Sequence, residues 1–183
     1  MKVICFGDSN TYGYDPRSYF GSRYDSNNCW VDILAEKTGW DISNLGENGR
    51  EIPEARILFP DDMDLLIIML GTNDLLQSLT PEDTAEKMAR FLTFMSLEPK
   101  KIVLIAPVPM ILGEWVPSQK LIDDSIALTE YYRVLATQMG LHFVNPGDWK
   151  IPMAFDGVHF TEEGHRIFAN QLYDHLIIQE KLY

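Results

Sequence analysis

Ser9 directly follows the first apolar stretch of the chain, within the sequence Gly7-Asp8-Ser9-Asn10. Residues of these types form turns and cap the helices that follow strands, so the segment can be purely structural. A serine in this place can also act as a nucleophile. It then needs a base to take its proton, an acid to orient the base, and donors for a developing oxyanion. The interpretation of Ser9 therefore depends on residues elsewhere in the chain.

A base and an acid are both available near the end of the sequence. His159 has a carboxylate, Asp156, three residues earlier, across Gly157. In a tight turn, Asp156 can accept a hydrogen bond from the imidazole Nδ1–H, which leaves Nε2 facing an incoming proton. This spacing is also common in ordinary turns, so by itself it does not establish catalysis.

Two further positions can supply oxyanion donors. Asn73 offers an amide N–H that is uncharged and cannot be lost to titration, although an asparagine after a strand also makes turns. Gly49 can allow a backbone N–H to come close to a ligand oxygen, or can simply permit a positive φ. Both positions keep a structural interpretation beside the catalytic one.

Five apolar runs of strand length recur along the chain, with helical patterns between them. The runs cover residues 2–6, 40–46, 64–71, 101–109 and 141–144. The helical patterns lie within 29–37, 80–95, 118–139 and 161–177. Continuously apolar interiors are typical of strands buried on both faces of a parallel sheet. The alternation predicts an α/β fold, a three-layer α/β/α sandwich in which ligands bind beyond the carboxyl ends of the strands.

Four polar segments should meet at that edge of the sheet. They are Gly7–Asn10, Asn44–Gly49, Gly71–Asp74 and Asp156–His159. One such segment would be turn chemistry, but four on one edge indicate a site. In order and spacing they resemble the four signature blocks of the SGNH hydrolases, also called GDSL-type esterases and lipases. The resemblance covers essentially the whole chain, with Asn10 standing where the family usually has leucine.

The resemblance implies a flavodoxin-like, mostly parallel five-stranded sheet and a set of catalytic roles. Ser9 would be the nucleophile, His159 the base and Asp156 its orienting acid. The oxyanion hole would use the backbone N–H groups of Ser9 and Gly49 and the amide of Asn73. The surrounding sequence favours Gly49 over Gly46 for this role. The α/β-hydrolase fold is excluded on residues, because its nucleophile elbow needs a glycine where this chain has Thr11.

Within this family, the sequences CFGDSNTYGY and DLLIIMLGTND are most similar to the arylesterase and acetyltransferase-like branch. This implies a serine esterase that hydrolyses short acyl groups of small-molecule esters, or transfers them, through an acyl-enzyme on Ser9. A carbohydrate O-acetyl esterase, a lysophospholipase and a thioesterase of the same fold stay open. The resemblance also leaves a homo-oligomer open.

The substrate pocket is expected where the fourth strand ends. The segment 106–115 should overhang Ser9, and its side chains are too apolar to sit freely in water in such numbers. The expected pocket residues are Tyr12, Tyr14, Met110, Ile111 and Trp115. Such a pocket would accept acetyl and butyryl groups and exclude long chains. The alternative is a packed loop.

The residues support two other classes of function less well than a serine esterase. A phosphate or FMN binder could use Ser9, Asn10 and Thr11 at a helix N-terminus, but this leaves the Asp156–His159 pair unexplained. A metallohydrolase built on Asp8, Asp156 and His159 lacks a ligand cluster at typical spacing. We therefore expect no cofactor and no metal.

Composition sets the remaining expectations. The 183 residues suit a single domain over 1–183, and the net charge of −12 argues against nucleic acid or an anionic membrane as the partner. The two cysteines, Cys5 and Cys29, are too few for a disulfide framework, so free thiols are expected. No signal peptide or stretch that could insert in a membrane stands out, which predicts a cytoplasmic protein.

Overall fold

A sheet of five parallel strands forms the centre of the computed structural model, which describes residues 1–18, 20–95, 97–179 and 181. The strands are β1 (Lys2–Gly7), β2 (Asp41–Gly46), β3 (Leu65–Met69), β4 (Ile102–Ile105) and β5 (His142–Val144). Their spatial order is β2-β1-β3-β4-β5, and every neighbouring pair is parallel. This is the flavodoxin-like order, so the predicted fold class is confirmed.

Six α-helices among the described residues connect and follow the strands. They are α1 (Ser9–Tyr12), α2 (Trp30–Thr38), α3 (Thr72–Leu76), α4 (Pro81–Thr93), α5 (Gln119–Met139) and α6 (Glu162–Tyr173). Short 3₁₀ turns cover Ser26–Asn28 and Pro99–Lys101, and a π-helical turn, Asp174–Gln179, follows α6. Side-chain caps fix the starts of the three longest helices, because Thr80, Ser118 and Thr161 accept backbone N–H groups of α4, α5 and α6. None of the described helices is both long and apolar enough to cross a membrane.

Side chains of each central strand alternate between two separate apolar layers. On β1, Ile4 and Phe6 pack into the layer that contains α4 and α5 residues. Val3 and Cys5 pack into the opposite layer, with α2 and α6 residues. Both faces of β1, β3 and β4 are therefore buried, which explains why their sequences are continuously apolar.

Two strands differ from the sequence expectation. Strand β2 is an edge strand whose residues alternate between exposed and partly buried, because β1 is its single neighbour in the sheet. The fourth run was expected over 101–109, but β4 ends at Ile105. Pro107 and Pro109 lack the N–H that a sheet ladder needs, and the last ladder-like bond there joins the Ala106 N–H to the Val144 carbonyl at 3.0 Å.

Strand register places the polar segments side by side. Gly7 at the end of β1 pairs with Met69 at the end of β3, and also with Gly46 at the end of β2. The chain therefore leaves three neighbouring strands at the same level. Side chains that follow these strands must meet at this edge of the sheet.

Candidate active site

The backbone around Ser9 is fixed by a cap at the end of β1. Ser9 is the first residue of α1, a helix of one turn, and its side chain lies largely buried at this edge. The carboxylate of Asp8 accepts the backbone N–H of Asn10 at 3.0 Å. Asp8 is thus the N-cap of α1, a role that its residue type allows, and the Ser9 side chain takes no part in this cap.

Ser9, His159 and Asp156 form a continuous hydrogen-bonded chain. The His159 Nε2 atom lies 2.9 Å from Ser9 Oγ, and His159 Nδ1 lies 2.7 Å from Asp156 Oδ2. The other carboxylate oxygen, Asp156 Oδ1, accepts the N–H groups of Val158 and His159, each at 2.9 Å. Asp156 therefore fixes both the ring and the backbone of His159, with Nε2 directed at the serine hydroxyl.

Gly157 makes this tight turn sterically feasible. Its φ is +82°, and a Cβ atom at this position would lie only 2.2 Å from the Ile111 carbonyl oxygen. Both the backbone conformation and the space exclude a side chain. The glycine inside the Asp156–His159 segment is thus required by the turn that brings the two side chains together.

The Asp156 carboxyl is held in its charged form. Burial favours the neutral acid, but hydrogen bonds from the His159 ring and from the N–H groups of His159 and Val158 outweigh it. The net result is that the pKa of Asp156 lies below its ordinary value. A charged carboxylate against Nδ1–H stabilises the imidazole in the tautomer that leaves Nε2 free to accept a proton.

A second cluster of polar contacts holds the segment that follows β2. The Asn73 Nδ2 atom donates to the Arg50 carbonyl at 3.0 Å. The buried Asp74 carboxylate accepts the Ile52 N–H at 3.1 Å and forms an ion pair with Lys87 Nζ at 2.7 Å. The residues after Gly49 are therefore tied to α3, the helix that carries Asn73.

Three groups that can donate to an oxyanion border one cleft. Ser9, Gly49 and Asn73 all line it. Within the described ranges, neither the Ser9 N–H nor the Gly49 N–H donates to another residue. Gly49 has a φ of +73° and open space around it, so the backbone conformation is what requires a glycine there.

The cleft has a volume of about 270 Å³ and aromatic walls. Its lining residues are Ser9, Tyr14, Asn48, Gly49, Asn73, Trp115 and His159. The Tyr14 and Trp115 rings contact the His159 ring, with centroid separations of 4.6 and 5.0 Å. The structure thus brings two of the five expected pocket residues to the cleft.

The other three expected pocket residues lie elsewhere. Met110 is buried in the core, and its N–H donates to Ser125 Oγ at 3.0 Å. Ile111 is 46% exposed, and Tyr12 packs near the Arg23 guanidinium, outside the cleft lining. The chain turns back through a bridge between Gly113 and Val116, so only Trp115 of this segment returns over His159.

Two asparagines at the site were given no catalytic or pocket role in the esterase interpretation of the sequence. Asn48 lines the cleft, and its place directly before Gly49 was the one signal for it. Asn10 contacts the segment that carries His159, through both ends of its amide. From the sequence, Asn10 was noted for its departure from the usual leucine and as a donor in the phosphate-binding alternative, and neither indicated this contact.

Asp8, directly before Ser9, is a buried carboxyl group. Burial raises its pKa to about 6, although the Asn10 N–H, the charge of His159 and the Thr72 hydroxyl act in the opposite direction. Its carboxylate is occupied by the Asn10 N–H and Thr72, so it does not join Asp156 and His159 in one ligand set. Within the described residues no group of three His, Cys, Asp or Glu side chains could hold a metal ion.

A family model supplies the decisive comparison. The model of the GDSL-like lipase/acylhydrolase family matches residues 5–167, which include every residue of the site. The chain belongs to the GDSL-like lipase/acylhydrolase family. It is a carboxylic ester hydrolase, and this replaces the alternative of an FMN-binding protein. Among curated proteins, none matches the chain.

Solved structures of the same fold cover nearly the whole chain. A protein from Agrobacterium tumefaciens named as an arylesterase is 26% identical, with a TM-score of 0.81 over 96% of this chain and 97% of that one. Est24, a carbohydrate acetylesterase from Sinorhizobium meliloti, is 25% identical, with a TM-score of 0.78 over 97% and 98%. The M. smegmatis aryl esterase, 23% identical with a TM-score of 0.78 over 96% and 97%, shares the GDSL fold.

Proposed function

We propose that this esterase hydrolyses short-chain acyl esters of small molecules through an acyl-enzyme on Ser9. The observation that carries the proposal is the chain of contacts from Ser9 Oγ to His159 Nε2 at 2.9 Å and from His159 Nδ1 to Asp156 Oδ2 at 2.7 Å. A serine hydroxyl is a weak nucleophile until a base takes its proton, and the contact with Nε2 supports His159 as that base. The chain belongs to a family of acylhydrolases, so an ester bond is the expected target.

The reaction follows from these contacts in two halves. Ser9 Oγ attacks the ester carbonyl carbon while its proton passes to His159 Nε2, and the tetrahedral oxyanion accepts hydrogen bonds from the Ser9 N–H, the Gly49 N–H and Asn73 Nδ2. The C–O bond to the alcohol then breaks, and the alcohol leaves with the proton from His159. A water molecule attacks the acyl-enzyme in the same manner, which releases the acid and restores Ser9.

The cleft supports a short acyl group. About 270 Å³ is near the lower end of small-molecule sites, and the Tyr14 and Trp115 rings border it beside His159. Either an aryl group or a sugar ring can pack against such rings. The structural neighbours include proteins named for both kinds of ester, so the proposal covers aryl and carbohydrate alcohols.

The experiment is a comparison of Ser9→Ala with Ser43→Ala, an exposed serine on β2. We expect Ser9→Ala to lower kcat for p-nitrophenyl acetate by roughly 10³-fold or more, because Ser9 Oγ is the hydroxyl in contact with His159 Nε2. Ser43→Ala should retain the wild-type rate. Circular dichroism checks that both variants fold. Substantial turnover by a folded Ser9→Ala protein would refute the mechanism.

A further inference from the structure

The hydrogen bond between Ser9 and His159 joins two segments that are distant in the sequence. Other contacts must hold these two segments at a fixed position relative to each other. Ser9 lies on α1, and His159 lies 150 positions later in the segment before α6. Asp156 orients His159, but the two residues are in the same turn and would move together. The distance between Ser9 Oγ and His159 Nε2 therefore depends on contacts between α1 and the turn.

Asn10, the residue after Ser9, makes two such contacts. Its Nδ2 atom donates to the Val158 carbonyl at 3.0 Å, and its Oδ1 atom accepts the Phe160 N–H at 2.9 Å. These two backbone groups belong to the residues on either side of His159. Asn10 is 6% exposed, so both bonds lie away from competing water. Its own backbone N–H is fixed by the Asp8 carboxylate.

The other backbone groups of residues 158–160 bond within the turn or to segments other than α1. The Val158 and His159 N–H groups donate to Asp156, and the His159 carbonyl accepts the Ala154 N–H at 2.7 Å. The Phe160 carbonyl faces the Tyr24 hydroxyl at 3.5 Å. Among these backbone contacts, the pair made by Asn10 is the one that reaches α1.

Only a carboxamide of this length fits both partners. A primary amide offers a donor at one end and an acceptor at the other, as a backbone residue does when it pairs with a parallel strand. Aspartate keeps an acceptor for the Phe160 N–H but sets an oxygen against the Val158 carbonyl. Leucine, the usual residue of the family at this position, offers neither group.

We infer that Asn10 is a positioning residue that clamps the two backbone groups flanking His159 and thereby sets the distance between His159 Nε2 and Ser9 Oγ. This inference rests on the proposed function of Ser9. Without the clamp, the turn keeps its internal Asp156 contacts but loses its register against α1. Proton transfer from Ser9 then slows, while the cleft that binds substrate, which Asn10 does not line, stays the same.

Asn44 provides a matched control on the other side of α1. Its Nδ2 atom donates to the Thr11 carbonyl at 2.9 Å, and its Oδ1 atom accepts the Gly46 N–H at 2.8 Å. It therefore ties the same short helix to β2 with the same chemistry, and it does not contact the His159 turn. Asn44→Ala removes one bond to α1 and one within β2, whereas Asn10→Ala removes two bonds between α1 and the His159 turn, so each variant deletes a side-chain amide that has two partners.

The test measures kcat and KM for p-nitrophenyl acetate, and the rate at which diethyl p-nitrophenyl phosphate inactivates each protein. The second reaction reports Ser9 alone, since its oxygen displaces p-nitrophenolate from phosphorus and no deacylation follows. For Asn10→Ala we expect kcat and the inactivation rate to fall in parallel by about 10- to 100-fold, with KM within about twofold. For Asn44→Ala, kcat and the inactivation rate should stay within about threefold of the wild type, even if this variant unfolds at a lower temperature.

Equal losses in the two variants, or a loss confined to KM, would overturn the inference. Peptide mass spectrometry shows whether the wild type is phosphorylated on Ser9. If it is not, the proposed function of Ser9 is wrong, and this outcome is distinct from a failure of the Asn10 inference. Should Asn10→Ala fail to fold, Asn10→Asp is measured in the same way. The wild type also allows a direct test by NMR: a scalar coupling across the hydrogen bond from the Phe160 amide nitrogen to Asn10 Cγ is expected, and its absence would refute the clamp.

Discussion

At the residue scale, the Asn73 amide can serve the structure and a substrate together. One N–H of Nδ2 is donated to the Arg50 carbonyl at 3.0 Å, and Asn73 also lines the cleft beside Ser9. A primary amide carries a second N–H, which is left for a carbonyl oxygen that turns into an oxyanion. Because the first bond holds the amide in place, the second donor costs little reorganisation when charge develops.

Replacement of Asn73 should therefore affect the transition state more than substrate binding. Asn73→Ala is expected to lower kcat for p-nitrophenyl acetate on the order of 10²-fold, with little change in KM. Asn48→Ala, which alters another asparagine of the cleft, should change KM more than kcat. A raised KM with kcat intact in Asn73→Ala would make Asn73 a binding residue instead.

The residues of the candidate site could be located from the sequence, because the polar segments that carry them reach the same edge of the sheet. In an α/β sheet, the loops after the carboxyl ends of parallel strands meet at one edge, and the four polar segments do meet at this edge. This rule gives no direction for side chains inside a loop. Met110 was therefore expected in the pocket and is found in the core, while the contact of Asn10 with the segment that carries His159 was not expected.

At the element scale, helix α2 begins with a contact that its own sequence does not provide. Its N-cap residue, Cys29, makes no side-chain cap. The Trp30 N–H instead donates to Nδ1 of His165, on α6, at 3.3 Å. His165 is fully buried beside the Tyr24 and Phe160 rings, so α2 and α6 are joined by an imidazole that must stay neutral to accept this bond.

Burial, together with the charges of His159 and Arg23, lowers the pKa of His165 from 6.5 to about 3. Below pH 6.5 the unfolded chain therefore binds a proton that the folded protein does not, so stability falls as the pH falls. Relative to His165→Leu, the wild type should lose roughly 2 kcal/mol of free energy of unfolding between about pH 7.5 and pH 5.

Urea unfolding at several pH values gives this difference directly. The raised pKa of Asp8 acts in the opposite direction, since the folded protein takes up that proton first, but Asp8 is present in both proteins and cancels. Parallel stability curves for the wild type and His165→Leu would contradict the neutral, buried imidazole.

The elements themselves were largely predictable, and the exceptions have local causes. Helices α4 and α6 were expected within 80–95 and 161–177, and both are present, each with a threonine cap at its start. Strand β2 was misjudged as a buried strand, since position in the sheet is not encoded in a six-residue segment. The contact between His165 and α2 could not be predicted, because it joins elements that are 135 residues apart.

At the scale of the whole molecule, the cleft is a small opening at one edge of the sheet. Segments after β1, β2, β3 and β5 contribute to it, together with Trp115 from the segment after β4. Its volume of about 270 Å³ leaves little room beyond the reacting ester group. The net charge of −12 adds no attraction for anionic head groups. Both features favour small, uncharged substrates.

The chain length of the acyl group tests this directly. With p-nitrophenyl esters, kcat/KM should be highest for acetate and butyrate and at least about tenfold lower for palmitate, because added methylenes find no apolar contact. Trp115→Ala should weaken this preference by opening the wall of the cleft. Ile111→Ala, in the same segment but outside the lining, should leave it unchanged. A steady rise of kcat/KM from acetate to palmitate would indicate an open, lipase-like cleft.

The central claim is that the acyl group of the ester is transferred to Ser9. Trapping this acyl-enzyme tests the claim most directly. The wild type is mixed with p-nitrophenyl acetate, quenched in acid within the first turnover, digested, and analysed by peptide mass spectrometry. The account predicts an acetyl group on Ser9 in the wild type, and none in Ser9→Ala treated in the same way. Turnover with no acetylated peptide, or with the acetyl group on another residue, would contradict it.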